Sequence, residues 1–517
     1  MSKNIKLRNF HEAKWDEPII FELSTPGQRG ILLPRLETEL DTDVDTIIPS
    51  NLIRKSRPLL PELSQPQVLR HFLRLSQETM GQDINIDIGL GTCTMKYSPK
   101  INEMFVRNHK FSELHPYESK ENIQGILEIM YKMEKFLKNI SGMDAFTFQP
   151  AGGAQAIFSN ASILKAYHTD RGDGDKRNEI ITTTFSHPVN AASPHTKGYK
   201  VITLMPDNDT GYPSIESLRA VISDRTAGLF ITNPEDTGIF NPNIKEMTDL
   251  VHEAGGLCIG DIADANGLFG ICRASEQGYD MCHYNLHKAF SSPHGSMGPG
   301  CGAQGVKAFL EKYLPSPVVK FDGECYCLDY DRPSSIGKVR KFYGVTAAVL
   351  RAYAWIMSIG EDGLREVSEL SILNNNYLMN KVLKEVKGIS APYSQGNFRM
   401  EQVRYSWGRL KDDTGIGTDE IERRMTDYGV QEYYQSHPPY LVREPFTPEP
   451  NETFSKDEID EYAEILKKVA QEAYESPEIV KTAPHNAPIS IVEQPPIKDP
   501  EKLIVTWRVY KRNKAME

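Results

Sequence analysis

The chain has 517 residues, of which 39% are hydrophobic and 25% charged, which suits a globular protein of two or three domains with a sizeable core. With 59 Lys+Arg against 70 Asp+Glu the net charge is −11, and the basic footprint of a nucleic-acid binder is missing. No run of about 18 apolar residues offers a membrane span, the opening MSKNIKLRNFHEAKWDEP has no apolar signal core, and seven scattered cysteines make no disulfide framework, so a reduced, cytoplasmic setting is expected.

Residues 1–85 are rich in proline and charge and read as an N-terminal arm with a helix over 66–78; Ile19, Phe21, Leu23, Ile31, Leu32 and Leu33 are too apolar for a free tail and suit an arm laid on a partner subunit. A helix is expected over 122–141, followed by a strand-to-helix junction at AFTFQPAGGAQAIF. Strands then alternate with helices: EIITTTF, KVITLM, GLFITNP, a helix over 243–254, and GLCIGDIA. That alternation predicts an α/β domain over 86–335 with a mainly parallel sheet, whose ligands lie at the carboxyl ends of the strands. Beyond 336 long helical patterns (345–358, 364–386, 456–475) and a few strand-like runs predict an α+β C-terminal small domain and tail reaching 517.

The residues just after the strands carry the chemistry. Lys288, in Asn285-Leu286-His287-Lys288-Ala289-Phe290, follows an apolar stretch and precedes a glycine-rich loop. A partly desolvated lysine there suits a Schiff base with an aldehyde cofactor; the bland reading is a surface lysine. Asp261 ends GLCIG, 27 residues upstream, where a carboxylate keeps a pyridine nitrogen protonated; Ala263 follows it, and Asp264 fits a turn or N-cap better. Gly153 and Ala154, in Pro150-Ala151-Gly152-Gly153-Ala154-Gln155, open a helix whose N-terminus can take a phosphate, with Gln155 facing the ring or capping the helix. His187 suits stacking on the ring or proton transfer, and Asn233 and Asp236 follow the next strand, where they contact cofactor or substrate or start the next helix. Together these residues define a pyridoxal 5′-phosphate (PLP) site. A rival metal reading rests on Cys282, His283, His287, His294 and Cys301, which lack a CxxC pair, and no metal is expected.

The segments GTCTMKYSPK, LHPYE, ISGMDAFTFQPAGGAQ, YHTDRG, HPVNAAS, LFITNPEDTGIF, VHEAGGLCIGDIADAN, NLHKAFSSPHGSMGPG, FYG and TAPH stand in one order over about residues 16–490. This series resembles glycine dehydrogenase (decarboxylating) subunit 2, the P-protein beta subunit of the glycine cleavage system. The resemblance implies a fold-type-I, aspartate-aminotransferase-like enzyme that decarboxylates glycine and passes the aminomethyl group to the lipoyl arm of H-protein. It implies pairing with an alpha subunit as a heterotetramer, against the homodimer otherwise expected. It makes Lys288 the cofactor lysine and Asp261 the pyridinium partner, puts His287, Gly153 and Ala154 near the phosphate and His187 and Asn190 in the active site, and lines the substrate entrance with Thr92, Cys93, Thr94 and Lys96. The chain departs from the family pattern at Gln155, Val189, Asp236, Asp264, Ala289, the Gly295–Gly298 loop and 399–402. Those departures keep two alternatives open: a paralogous PLP decarboxylase, aminotransferase or C–C lyase acting on another amino acid without H-protein, and a non-catalytic partner subunit. Arg340 and Arg399 are candidates for the substrate carboxylate, or else surface ion-pair residues.

Overall fold

The computed structural model describes residues 5–515 except 40, 57, 80, 82–83, 87, 89–93, 294–297, 299, 394–396, 431–434, 438–440 and 492–505. Contacts divide the chain into two compact units: one holds residues 1–8, 82–425 and 430–481, the other 9–81, 426–429 and 482–517. In the second unit the helix Gln65–Gln77 starts at a capping box formed by Ser64 and Gln67. There too, Phe21 stacks on Trp507 at 4.9 Å between ring centroids.

The larger unit is built on a seven-stranded sheet. Its strands are β1 (Ala145–Thr147), β2 (Glu179–Thr183), β3 (Lys200–Leu204), β4 (Thr226–Ile231), β5 (Leu257–Asp261), β6 (Met281–Asn285) and β7 (Gly302–Val306), in the order β1-β7-β6-β5-β4-β2-β3. All neighbouring pairs from β6 through β5, β4 and β2 to β3 are parallel, and β7 is antiparallel to both β6 and β1. The sequence signals only the parallel part: β7 reads Gly-Ala-Gln-Gly-Val, with little strand propensity of its own. It is a strand because both neighbours pair with it, and Gly305 is needed because a β-carbon there would collide with the Phe146 ring.

β4 and β5 are buried along their whole length and do not alternate polar with apolar, as expected of strands covered on both faces. Helix α1 (Gln124–Ser141) sets Ile126, Leu127, Met130, Met133 and Leu137 into the core at helical spacing. It stops at Gly142 with φ +70°, where a side chain would run into Ser275. Helix α2 (Gly153–Asp170) follows β1, α3 (Val189–Thr196) follows β2, and α4 (Ile244–Glu253) precedes β5. Each fully buried side chain of this core, such as Leu127 or Phe230, contributes about 1.5–3 kcal/mol of hydrophobic stabilisation.

Downstream come the hairpin β8 (Val318–Phe321) and β9 (Tyr326–Asp329), helix α5 (Thr346–Glu385), the short antiparallel pair β10 (Tyr405–Ser406) and β11 (Pro445–Phe446), and helix α6 (Lys456–Glu475). The two helices expected over 345–386 both lie within the α5 span and meet at Gly360, whose φ of +69° and ψ of −169° are not helical. α6 starts at a capping box of Ser455 and Glu458.

Candidate active site

The carboxyl ends of β2, β5 and β6 converge, and each delivers a polar side chain. Asp261 is the last residue of β5 and is 3% exposed. Its Oδ2 accepts a 2.8 Å hydrogen bond from the Asn190 amide of α3, and Oδ1 accepts one from the Ala263 backbone N–H at 3.2 Å. His283 stands opposite it in the β5–β6 register, with Nε2 3.3 Å from Oδ1. Burial alone would raise this carboxyl's pKa; His283, His187, the Asn190 amide and Lys288 outweigh it and hold Asp261 below its ordinary value. The residue is therefore an anion in a dry place.

The turn after β6 is tied to that strand end. Asn285 donates its N–H to the carbonyl of Ala263 at 3.2 Å, and Lys288 donates its N–H to the carbonyl of Asn285 at 3.0 Å. Lys288 is buried, and its charge acts on Asp261, Asp264, His187 and His283. His287 Nδ1 accepts from the Cys301 N–H at 3.2 Å, and its ring fills the space a β-carbon of Gly300 would need, with Gly152 on another side. A β-carbon on Gly153 would stand 3.0 Å from Asn285 Nδ2 and 3.2 Å from His283 Nε2, so the absence of a side chain lets the N-terminus of α2 meet β6 at this point.

His187 sits in the loop between β2 and α3. The Val189 N–H donates to its Nδ1 at 3.1 Å, which places the ring proton on Nε2. Burial first, then His437 and Lys288, push its pKa down to about 4 against the opposing pull of Asp261 and Asp236, so the imidazole is neutral. The His437 ring meets it edge-on at 4.2 Å; His437 Nδ1 lies 3.1 Å from Asp236 Oδ2, which also accepts from Arg404 Nη2 at 2.7 Å. Asp236 stays below its ordinary value although burial opposes this, because His437 and Arg404 flank it.

Other residues singled out in the sequence take different places. The Gln155 carbonyl oxygen accepts from the Ala151 N–H at 2.8 Å, and its amide donates to the Val339 carbonyl at 2.6 Å, linking the α2 entry to the segment before α5. Asn233 braces its own loop through Asn241 and Gln277. Thr94 is buried, and Lys96, also buried, donates to Glu452 at 2.6 Å with its ammonium 4.3 Å from the Trp355 ring centre. Arg399 donates to the carbonyls of Pro392 and Tyr393. Arg340 is half-buried, with its charge acting on Cys301. Thr92, Cys93 and His294 lie outside the described residues. Among the described residues the group close enough to share a metal ion is His252, Cys258 and Asp280, not the cysteines and histidines around Lys288. Arg404, His437 and Glu449 were not foreseen, and Glu401 stood out only within the 399–402 departure; all come from the chain after α5, where strand-end logic does not reach.

A buried primary amine, an ionised aspartate, a neutral imidazole and a glycine-lined helix N-terminus form a donor set suited to an aldehyde-bearing pyridine phosphate. The buried atoms without a hydrogen-bond partner among the described residues, Asn190 Oδ1, Asn285 Oδ1 and both His283 ring nitrogens, cluster at the same place. The residues present therefore fit PLP.

The sheet order and covering helices are those of PLP-dependent fold type I. A glycine decarboxylase (P-protein) of the glycine cleavage system, solved in inhibitor-bound form, superposes with a TM-score of 0.67 at 19% identity, over 82% of this chain and 93% of its own. The sphingosine-1-phosphate lyase of Burkholderia pseudomallei K96243 superposes with a TM-score of 0.59 at 10% identity, over 83% and 94%. Residues 367–490 match the model of the glycine dehydrogenase C-terminal domain. The probable glycine dehydrogenase (decarboxylating) subunit 2 of Pyrococcus abyssi is 45% identical over 511 residues, 98% of each chain. The chain belongs to the glycine dehydrogenase (decarboxylating) subunit 2 family.

Proposed function

We propose that this chain is the PLP-carrying subunit of a glycine decarboxylase, with Lys288 as the covalent anchor of the cofactor. The observation that carries the reading is the anion of Asp261 held across the strand ends from buried Lys288. Asp261 would hold the pyridine nitrogen protonated, and Gly153, Ala154 and His287 would surround the phosphate. Bound there, PLP supplies an electron sink for the pair that stays on Cα when the carboxylate leaves. His187, neutral with its proton on Nε2, would offer the cofactor or substrate a flat uncharged face and one donor. Asn190 keeps Asp261 oriented.

The name of the relatives, subunit 2, supports a second, related chain as partner, and the family resemblance supports a lipoylated carrier as acceptor of the aminomethyl group. Among the described residues no helix is long and apolar enough to cross a membrane. The test is the visible absorbance of the purified chain with added PLP, alone and with excess glycine. A lysine-bound band that Lys288→Ala abolishes and glycine shifts is the expected result. A wild-type chain without the band overturns the Lys288 assignment; a band indifferent to glycine, with the second subunit present, overturns the substrate.

A further inference from the structure

Beyond Asp261, the same strand end leads into a second group of acids. Asp264 accepts the Asn266 N–H at 3.1 Å in a tight turn, half-buried and facing Lys288. Glu449, wholly buried, arrives from the segment after β11; its Oε1 accepts the Asn266 side-chain amide at 2.7 Å. Asp264 Oδ2 and Glu449 Oε2 have no N–H or O–H donor among the described residues, yet the two carboxyls are close enough to hydrogen-bond each other. Two carboxylates can do that only with a proton between them. Glu401, also buried, faces both. Two lysines act on Asp264: Lys288, and Lys96, which also donates to Glu452 and Asn266.

We propose that Asp264 and Glu449 hold one proton in common and that this pair sets the charge facing Lys288, a deepening of the reading that Lys288 anchors the cofactor. One negative charge is then spread over two carboxyls. Lys288 forms its bond to an aldehyde carbon only as the free amine. An ammonium that condenses with a carbonyl yields the C=N bond, one water carrying away the carbonyl oxygen, and one proton. The pair accepts that proton and becomes neutral, which a dry site favours over a separated anion and cation. Among the described residues, Asp261, His187 and His283 also interact with the charge of Lys288, and burial pushes both histidines toward the neutral form.

The two carboxyls therefore have opposite signatures. Asp264→Asn leaves Glu449 as a neutral buried acid, removes the anion opposite Lys288, and lowers the pH midpoint of the lysine-bound absorbance band. Glu449→Gln strips the shared proton, puts a full charge on Asp264, and raises that midpoint. Each shift is expected to be about one pH unit. A pH titration of the loaded full-length protein reads both, and a merely structural role would not move the two in opposite directions. An Asp264→Asn midpoint no lower than wild type, or a Glu449→Gln midpoint no higher, overturns the proposal, so either variant suffices if the other fails to fold. If wild type shows no band, the cofactor reading falls separately, and the pair is then read from the pH dependence of Lys288 acetylation by acetic anhydride, followed by peptide mass spectrometry, with the same two directions required.

Discussion

Asn190 and Asp261 meet across 2.8 Å although they stand on different βα units, the amide at the start of α3 and the carboxylate at the end of β5. The contact is a neutral donor to a buried anion, and removing such a donor costs about 1–3 kcal/mol. Asn190→Ala is expected to let the Asp261 carboxyl drift upward and to weaken PLP binding roughly tenfold. Titration of the apoprotein by absorbance measures it; an unchanged affinity would show that Asn190 does not serve the ring partner.

His187 gives a pH signature. Its pKa falls from 6.5 to about 4 on folding, so between those values the unfolded chain binds a proton that the folded chain does not. Stability therefore rises with pH across this window and is lost as pH falls from about 6.5 toward 4. His187→Gln should remove this component, on the order of 3 kcal/mol. The comparison is the Tm of wild type and variant at the two ends of the window; parallel curves would sink the assignment.

Arg404 and Asp236 form an ion pair with side chains only 2% and 3% exposed. Deleting the cation leaves a buried carboxylate with only histidines, His437 and His187, as the basic groups shown to act on it, and Arg404→Leu should cost about 3–5 kcal/mol. The double variant Arg404→Leu/Asp236→Leu should recover much of that loss, because the uncompensated charge is gone. Urea denaturation of the single and double variants decides it, and equal losses in both would argue that packing rather than charge holds this region.

What the sequence made legible follows from locality. Lys288, Asp261, His187 and the Gly153 turn each lie at or just beyond the end of a strand, and a parallel sheet brings its carboxyl ends together whatever the loops contain. Segment order and the collinear motifs also gave the fold class. Arg404, His437 and Glu449 were hidden because they come from a region with little regular periodicity, reaching the site through β10, β11 and irregular chain. β7 was hidden for a different reason: its strand character comes from its partners and not from its residues. Gln155 shows the limit of reading a residue by its position, since its amide and carbonyl are both taken by backbone groups from two segments.

Glu401 is a buried acid with little to compensate its burial. It is 2% exposed, its Oε2 has no hydrogen-bond partner among the described residues, and a β-carbon on Gly267 would overlap that oxygen. Burial, with Asp264 adding to it, lifts its pKa from 4.5 to about 8. The folded chain thus binds a proton between those values that the unfolded chain has released, so stability is fully present below about 4.5 and declines as pH rises toward 8. Glu401→Gln keeps the shape and removes the titration. It should flatten the decline and leave the variant more stable than wild type at pH 8 by about 1–3 kcal/mol, the scale of an unsatisfied buried polar group. Thermal denaturation of both proteins at pH 5 and pH 8 is the measurement: a gap that opens only at the higher pH supports a buried, protonated Glu401, and a gap of equal size at both would mean that the substitution acts through packing.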